Sequence, residues 1–317
     1  MNATNAKFML EVQNLNKKFG DVHAVKNLNF QVRRGEVFGF LGPNGAGKTT
    51  TMRMVTCFIP STSGSVLVDG MNTVENSLHV RQKIGYLPEN NPLYNDMTVR
   101  EYLNFVGEIR GMAGQKLNAR VDEMFHICSL TNMAQRQIGK LSKGYRQRVG
   151  LAQAMMHNPD LLILDEPMSG LDPNQIIEIR GLIKKIGEEK TVIYCSHILP
   201  EVAATCSRIL IINEGAIVAS GTPDELTSLS TKSNKYQIRV KGEKGSIERG
   251  FSLVNGVAKV SLHDTAPGWY SAEVVSSEKD DIGESLFRCA VDNGWALAEL
   301  RHESASLEDV FTQLTRS

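Results

Sequence analysis

The segment Gly42-Pro43-Asn44-Gly45-Ala46-Gly47-Lys48-Thr49 follows an apolar run, Val37 to Leu41, and leads into a helical stretch. A G-x-x-x-x-G-K-T pattern set between strand and helix admits few folds. Its glycines let the turn curl, so that backbone N–H groups from Asn44 through Gly45, Ala46, Gly47, Lys48, Thr49 and Thr50 can point at phosphate oxygens. Lys48 is expected to neutralise the β and γ phosphates of a nucleotide, and the Thr49 hydroxyl to ligate Mg2+. Such a loop needs a parallel sheet covered on both faces, so the expected class is α/β, a P-loop NTPase. The loop alone does not choose among kinases, GTPases and the several kinds of ATPase.

The rest of the chain supplies that sheet. Leu161 to Leu164 and Thr191 to Cys195 are continuous apolar runs, as strands buried on both faces require, and the helical pattern from Ile176 to Lys185 completes a β-α-β unit between them. Short strands are expected at Phe8 to Val12 and Leu28 to Val32, helices at Val99 to Arg110 and Asn118 to Ser129, and a hairpin at 208–220; the segment 84–89 reads as a loop. Together these predict a RecA-like core sheet with an N-terminal antiparallel β-subdomain and a helical subdomain at about 90–157. A polar stretch rich in Ser and Thr then marks a linker at 229–235, dividing a nucleotide-binding domain (1–228) from a C-terminal α+β domain (236–317). The β-α-β-β-α-β order beyond the linker predicts a ferredoxin-like module with a last helix at 307–314.

Composition mainly excludes. The 317 residues suit two domains, and 35 basic against 35 acidic residues leave no net field to gather nucleic acid or anionic lipid, so no direct nucleic-acid binding is expected. No run approaches the roughly 18 to 20 apolar residues of a membrane helix, and Met1 to Lys7 lacks the form of a secretory signal, which predicts a cytoplasmic chain. Cys57, Cys128, Cys195, Cys206 and Cys289 are scattered and read as small hydrophobes rather than disulfide partners or zinc ligands. In the C-terminal module His263, His302 and Trp269 are isolated, and Trp295 reads as core.

Three further constellations carry chemistry. Asp165-Glu166-Pro167 places two carboxylates at the C-terminal edge of a parallel strand, where ligands of such sheets bind. Asp165 suits a water-mediated contact to magnesium, and Glu166 suits polarisation of an attacking water. Leu141-Ser142-Lys143-Gly144-Tyr145 opens a helix, where Ser142 can be a plain N-cap or, with the Gly144 N–H, part of a second phosphate-binding surface. Ser169-Gly170-Leu171-Asp172 and a strand ending at His197 follow.

Taken in that order, these motifs resemble the ATP-binding subunits of ABC transporters over residues 8 to about 226. The resemblance implies two such subunits packed head to tail, as a homodimer or with a paired ATP-binding subunit, each ATP lying between the loop of one and the L-S-x-G segment of the other. It implies that Ser142 and Gly144 bind the γ-phosphate of the partner's ATP, that Asp172 couples the two sites, and that His197 contacts the γ-phosphate and holds Glu166 and water. Phe19 matches the aromatic that stacks on adenine, with Val25 beside it. Glu89 stands where a magnesium-reaching glutamine is usual, and Lys143 and Tyr145 replace a glycine and a glutamine.

The segments Tyr86 to Tyr94, Leu141 to Arg148 and Ser306 to Phe311 resemble the ABC-2-type export branch, most closely its gliding-motility-associated subunits. The implied activity is ATP hydrolysis with ATP and Mg2+, driving a separate multi-spanning permease from the inner face of the membrane. Alternatives are a soluble, non-transport ABC ATPase and a weakly active nucleotide-binding partner in a heterodimer. One P-loop and no long coiled-coil insertion count against the former, and the absence of N-K-x-D counts against a GTPase.

Overall fold

A computed structural model describes residues 7–228, 235–277, 281–303 and 307–315. Two long strands, β1 (Phe8–Phe19) and β2 (Val22–Arg33), form a hairpin at the start. Their burial does not alternate cleanly, because the register shifts between Val12 and Leu15 and again near Lys17. Asn14 and Asn27 take left-handed φ of 48° and 51° at these irregularities, a conformation asparagine tolerates better than most residues. That breaks the period-two signal and hides the full strand length from a reading of hydrophobicity alone.

β3 (Val37–Leu41) feeds the glycine-rich turn into α1 (Lys48–Val55). The hairpin β4 (Ser63–Val68) and β5 (Met71–Asn72) joins β1 and β2 in a four-stranded antiparallel sheet of order β2-β1-β4-β5. α2 (Ser77–Lys83) then leads to β6 (Ile84–Leu87), where a loop was expected from sequence. The segment is a strand because it pairs in parallel with the next strand of the core; as an edge of only four residues it carries little periodic signal. Gly85 permits this, since a Cβ there would run into the Ala154 carbonyl oxygen.

The helices α3 (Val99–Ile109), α4 (Gly114–Ile127) and α5 (Lys143–Met155) pack on one another. α3 opens with a capping box in which Thr98 and Glu101 satisfy each other's backbone N–H groups. β7 (Leu161–Asp165), α6 (Pro173–Gly187), β8 (Thr191–Ser196), α7 (Leu199–Thr205), β9 (Arg208–Asn213) and β10 (Ala216–Gly221) complete the core. Its six-stranded sheet has the order β10-β9-β3-β8-β7-β6, parallel except for β10.

β7 and β8 are buried at every position, as covered parallel strands are. Between the two sheets lies an apolar layer in which Phe30 stacks on Phe38 at 6.0 Å between ring centroids and tilts against Phe40 at 5.5 Å. Each such pair adds about 0.5–1.5 kcal/mol beyond its buried area. On the helical side α6 buries Ile179, Leu182, Ile183 and Ile186.

The chain divides into two compact units, Met1–Pro223 with Leu314–Ser317, and Asp224–Gln313. Of the expected linker, 229–234 lies outside the described residues and Lys235 already opens a strand. α8 (Pro223–Ser228) is followed by β11 (Lys235–Lys241), α9 (Lys244–Ser252), β12 (Val257–Ala266), β13 (Trp269–Ser276), α10 (Gly283–Asp292), β14 (Ala296–Glu303) and α11 (Leu307–Thr315). The four strands form an antiparallel sheet of order β12-β13-β11-β14, which is the split β-α-β arrangement expected from sequence. Tyr236, Ile238 and Val240 of β11 bury against Ile247 and Phe251 of α9 and Leu286 and Ala290 of α10. Trp295 packs against this core, edge-on to Phe251 at 5.2 Å.

Candidate active site

Parallel pairing brings three strand ends to one level: Leu41 of β3 lies opposite Ser196 of β8, and Asp165 of β7 opposite Cys195. The residues just past those ends therefore meet at the carboxyl edge of the sheet, where open α/β sheets hold their ligands.

The turn after β3 depends on its glycines. Gly45 and Gly47 have φ of 82° and 101°. A Cβ on Gly42 would collide with the Ile212 carbonyl oxygen, and one on Gly47 would lie 2.7 Å from the Ala24 carbonyl oxygen. The turn is backed by Gly215, whose N–H donates to the Ala46 carbonyl at 3.0 Å. Asn44 and Gly45 are exposed, Thr50 is half-buried and Ala46 is buried. Lys48, 5% exposed, donates to the carbonyls of Gly42 at 2.7 Å and Pro43 at 3.3 Å, so its ammonium lies curled inside the loop where phosphates would sit.

Thr49 donates its hydroxyl to Asp165 Oδ2 at 3.0 Å, while Asp165 Oδ1 is buried and makes no hydrogen bond. Burial pushes the Asp165 carboxyl above the usual range; the Thr49 bond and Lys48 oppose the rise, and the carboxylates of Glu166 and exposed Glu89 add to it. A buried carboxylate oxygen without a donor, beside a threonine hydroxyl, suits a hydrated divalent cation. Among the described residues no group of three or more His, Cys, Asp or Glu converges. Mg2+ does not need such a cage, since it commonly binds through one or two protein oxygens, waters and substrate phosphates.

Glu166 is 7% exposed and held at a left-handed φ of 50°. Its Oε1 lies 3.5 Å from Lys48 Nζ and 3.0 Å from His197 Nδ1. Oε1 is buried with no hydrogen-bond donor among the described residues, so the 3.0 Å approach is a close contact that assigns no tautomer to His197. The side chain is 40% exposed and has room to turn.

Gly144 and Asp172 both meet Gln175, and Ser142 lies just before Gly144 at the start of α5. Ser142 caps α5, its hydroxyl oxygen accepting from the Tyr145 N–H at 3.4 Å, and Asp172 caps α6, accepting from the Gln175 N–H at 2.9 Å. Gly144 is buried rather than open: a Cβ there would lie 2.7 Å from Gln175 Oε1. Lys143 is exposed, and its ammonium occupies the space a side chain at Gly170 would need.

Phe19 ends β1 half-exposed, with the Lys17 ammonium 5.0 Å from its ring centroid, and offers a free face for a base. Val25 requires a correction. It is fully buried in the core, with Cγ2 behind Gly47, so it has no surface to lay beside adenine and instead supports the loop from beneath. Sequence reasoning also passed over Tyr194, Ser196 and Glu201. Their one signal was polar residues inside an apolar strand and on the helix after it, and no motif spacing marked them.

Known proteins with this arrangement are ABC transporter components. The ABC transporter family pattern matches residues 25–169. The chain is 33% identical over 308 residues to the linearmycin resistance ATP-binding protein LnrL of Bacillus subtilis, covering 97% of this chain and 98% of that one. It is 32% identical over 315 residues to the Nod factor export ATP-binding protein I of Burkholderia lata, covering 96% of each. Among solved structures, the dimeric post-hydrolysis ATP-binding cassette MJ0796 bound to ADP and Pi superposes with a TM-score of 0.62 at 27% identity, over 68% of this chain and 98% of that one.

Proposed function

This chain belongs to the ABC transporter family as an ATP-binding ATPase subunit of its export group, and from that premise we propose how its residues divide the work. Two cassettes close head to tail on two ATPs and drive a separate membrane-embedded permease. The observation that carries this is the convergence of Lys48, Thr49, Asp165, Glu166 and His197 at the ends of three adjacent strands.

In this reading ATP displaces the Lys48 ammonium from the Gly42 and Pro43 carbonyls onto the β and γ phosphates. Backbone N–H groups of the loop from Asn44 to Thr50 take the remaining phosphate oxygens, and the half-exposed ring of Phe19 takes the base. Thr49, Asp165 and Glu89 would hold Mg2+, which when bound neutralises charge on the phosphates. Glu166 turns Oε1 to the attacking water and accepts its proton. His197, 40% exposed and close to Glu166, donates to the γ-phosphate and holds Glu166 and water in place.

The exposed Ser142 and Asp172 serve the partner's ATP and the coupling between the two sites. That is how the solved relative, a dimer with ADP and Pi, supports a pair here. No helix among the described residues is long and apolar enough to cross a membrane, so a place at its inner face would come from docking to the permease, through the segment after Glu89. We carry the narrower likeness to gliding-motility subunits on the same footing, supported by the segments at 86–94 and 141–148.

The test is Glu166→Gln. It should bind ATP, lose turnover and accumulate an ATP-bound dimer on size exclusion; turnover at the parental rate would refute the assignment of the base. Co-purification with a multi-spanning membrane protein is expected, and co-sedimentation with ribosomes in its place refutes the transport role.

A further inference from the structure

A buried polar chain lies directly behind Glu166, and it includes a second carboxylate. Ser196, fully buried, approaches Glu166 Oε2 at 3.3 Å and Glu201 Oε2 at 3.4 Å. The Tyr194 hydroxyl donates to the same Glu201 oxygen at 2.9 Å, and the Ile198 N–H donates to Ser196 Oγ at 3.1 Å. Tyr194 is fully buried and Glu201 is 6% exposed.

A hydroxyl carries one proton. Ser196 therefore cannot donate to both carboxylates at once, although both stand at nearly equal distance. What decides between them is how far each oxygen is already served. Glu201 Oε2 receives the shorter bond from Tyr194, whereas Ser196 is the only donor found for Glu166 Oε2 among the described residues. Burial pushes the Tyr194 phenol far up, with the Glu201 carboxylate adding to the rise, so this hydroxyl keeps its proton and remains a donor.

From this geometry we infer that Ser196 is a positioning residue for Glu166, and that Tyr194 keeps it so by occupying the competing acceptor, Glu201. The bond at Oε2 fixes the rotation of the Glu166 carboxylate and leaves Oε1 facing Lys48 and His197, the side on which water and γ-phosphate would lie. Glu166 needs such a restraint, because its left-handed backbone is a conformation that only surrounding contacts sustain. Burying a carboxylate at Glu201 is costly unless it is hydrogen-bonded, and the Tyr194 hydroxyl supplies that bond.

The inference rests on Glu166 as the catalytic base. The experiment measures kcat for ATP and ATP affinity separately on the full chain. Ser196→Ala should lower kcat about tenfold or more with ATP affinity unchanged, because misplacement by a fraction of an ångström suffices. Ser196→Thr, which keeps the hydroxyl, should recover most of that loss.

Tyr194→Phe frees Glu201 to draw the Ser196 proton away, and kcat should fall although residue 194 touches neither Glu166 nor nucleotide. Adding Glu201→Gln to Tyr194→Phe weakens the competitor and should restore turnover, whereas two merely structural losses would accumulate. Parental kcat in Ser196→Ala overturns the proposal. So does parental kcat in Tyr194→Phe, which keeps the ring, removes only the hydroxyl and carries the test if the alanine variant folds poorly. An active Glu166→Gln variant would instead overturn the reading of the base, and the two failures are thereby separable.

Discussion

His157 should make the stability of the cassette depend on pH, in a direction the structure fixes. Its Nε2 lies 3.0 Å from the Ile84 carbonyl, while Nδ1 is buried with no partner. Burial, then Arg110, with smaller contributions from Arg120 and Lys190, pushes the ring down to about 4 from the ordinary value of 6.5; the Ile84 bond opposes this. The unfolded chain therefore takes up a proton near pH 6.5 that the folded chain refuses until near pH 4. Stability is fully present above about 6.5 and is lost as pH falls towards 4.

At full strength that gap corresponds to about 3 kcal/mol, and the part of the ring that faces solvent screens it to roughly 1.5–2 kcal/mol. The perturbation is His157→Gln, whose amide can still reach the Ile84 carbonyl. Urea unfolding at pH 7.5, 6.5, 5.5 and 4.5, followed by circular dichroism, should show the parent losing that amount relative to the variant. Both tryptophans, Trp269 and Trp295, lie in the C-terminal unit, so their fluorescence provides a control transition that the substitution should not move. Parallel pH dependence of parent and variant would show that the ring titrates alike in folded and unfolded chains, and the reasoning would fail.

Two further outcomes follow from the nucleotide site. Gly47→Ala should reduce ATP affinity at least tenfold by equilibrium binding, because its φ of 101° and the Ala24 carbonyl at 2.7 Å leave no room for a methyl group; unchanged affinity would contradict the loop geometry. Phe19→Ala should weaken ATP binding by about 1–2 kcal/mol while leaving the unfolding midpoint within a degree or two, since the half-exposed ring contributes little to the core. A midpoint drop without loss of affinity would assign Phe19 to packing instead.

Much of this molecule can be read along the chain because its signals are local. The loop at 42–49, the apolar runs that become β7 and β8, and the alternation of the C-terminal module each declare themselves within a dozen residues. What was hidden depends on pairing and sidedness. β6, four residues at the sheet edge, is too short to show a period until it is set beside β7, and β1 and β2 extend through bulges at asparagines that interrupt the alternation. Val25 lies in the stretch that approaches the nucleotide loop, and only the folded chain shows that it faces inward. Tyr194, Ser196 and Glu201 carry no motif because their relation to Glu166 arises between β7, β8 and α7 rather than along one segment.

Ser142 shows how one atom can answer to two demands. Capping α5 uses a lone pair on its oxygen, and the proton on that oxygen stays unspent. Aspartate would hold the helix end as well as serine does, yet it would repel a phosphate where the serine hydroxyl can still donate its proton. The fold thus tolerates several residues at position 142, and under the proposed function the narrower choice of a hydroxyl answers to an anion brought by the second subunit.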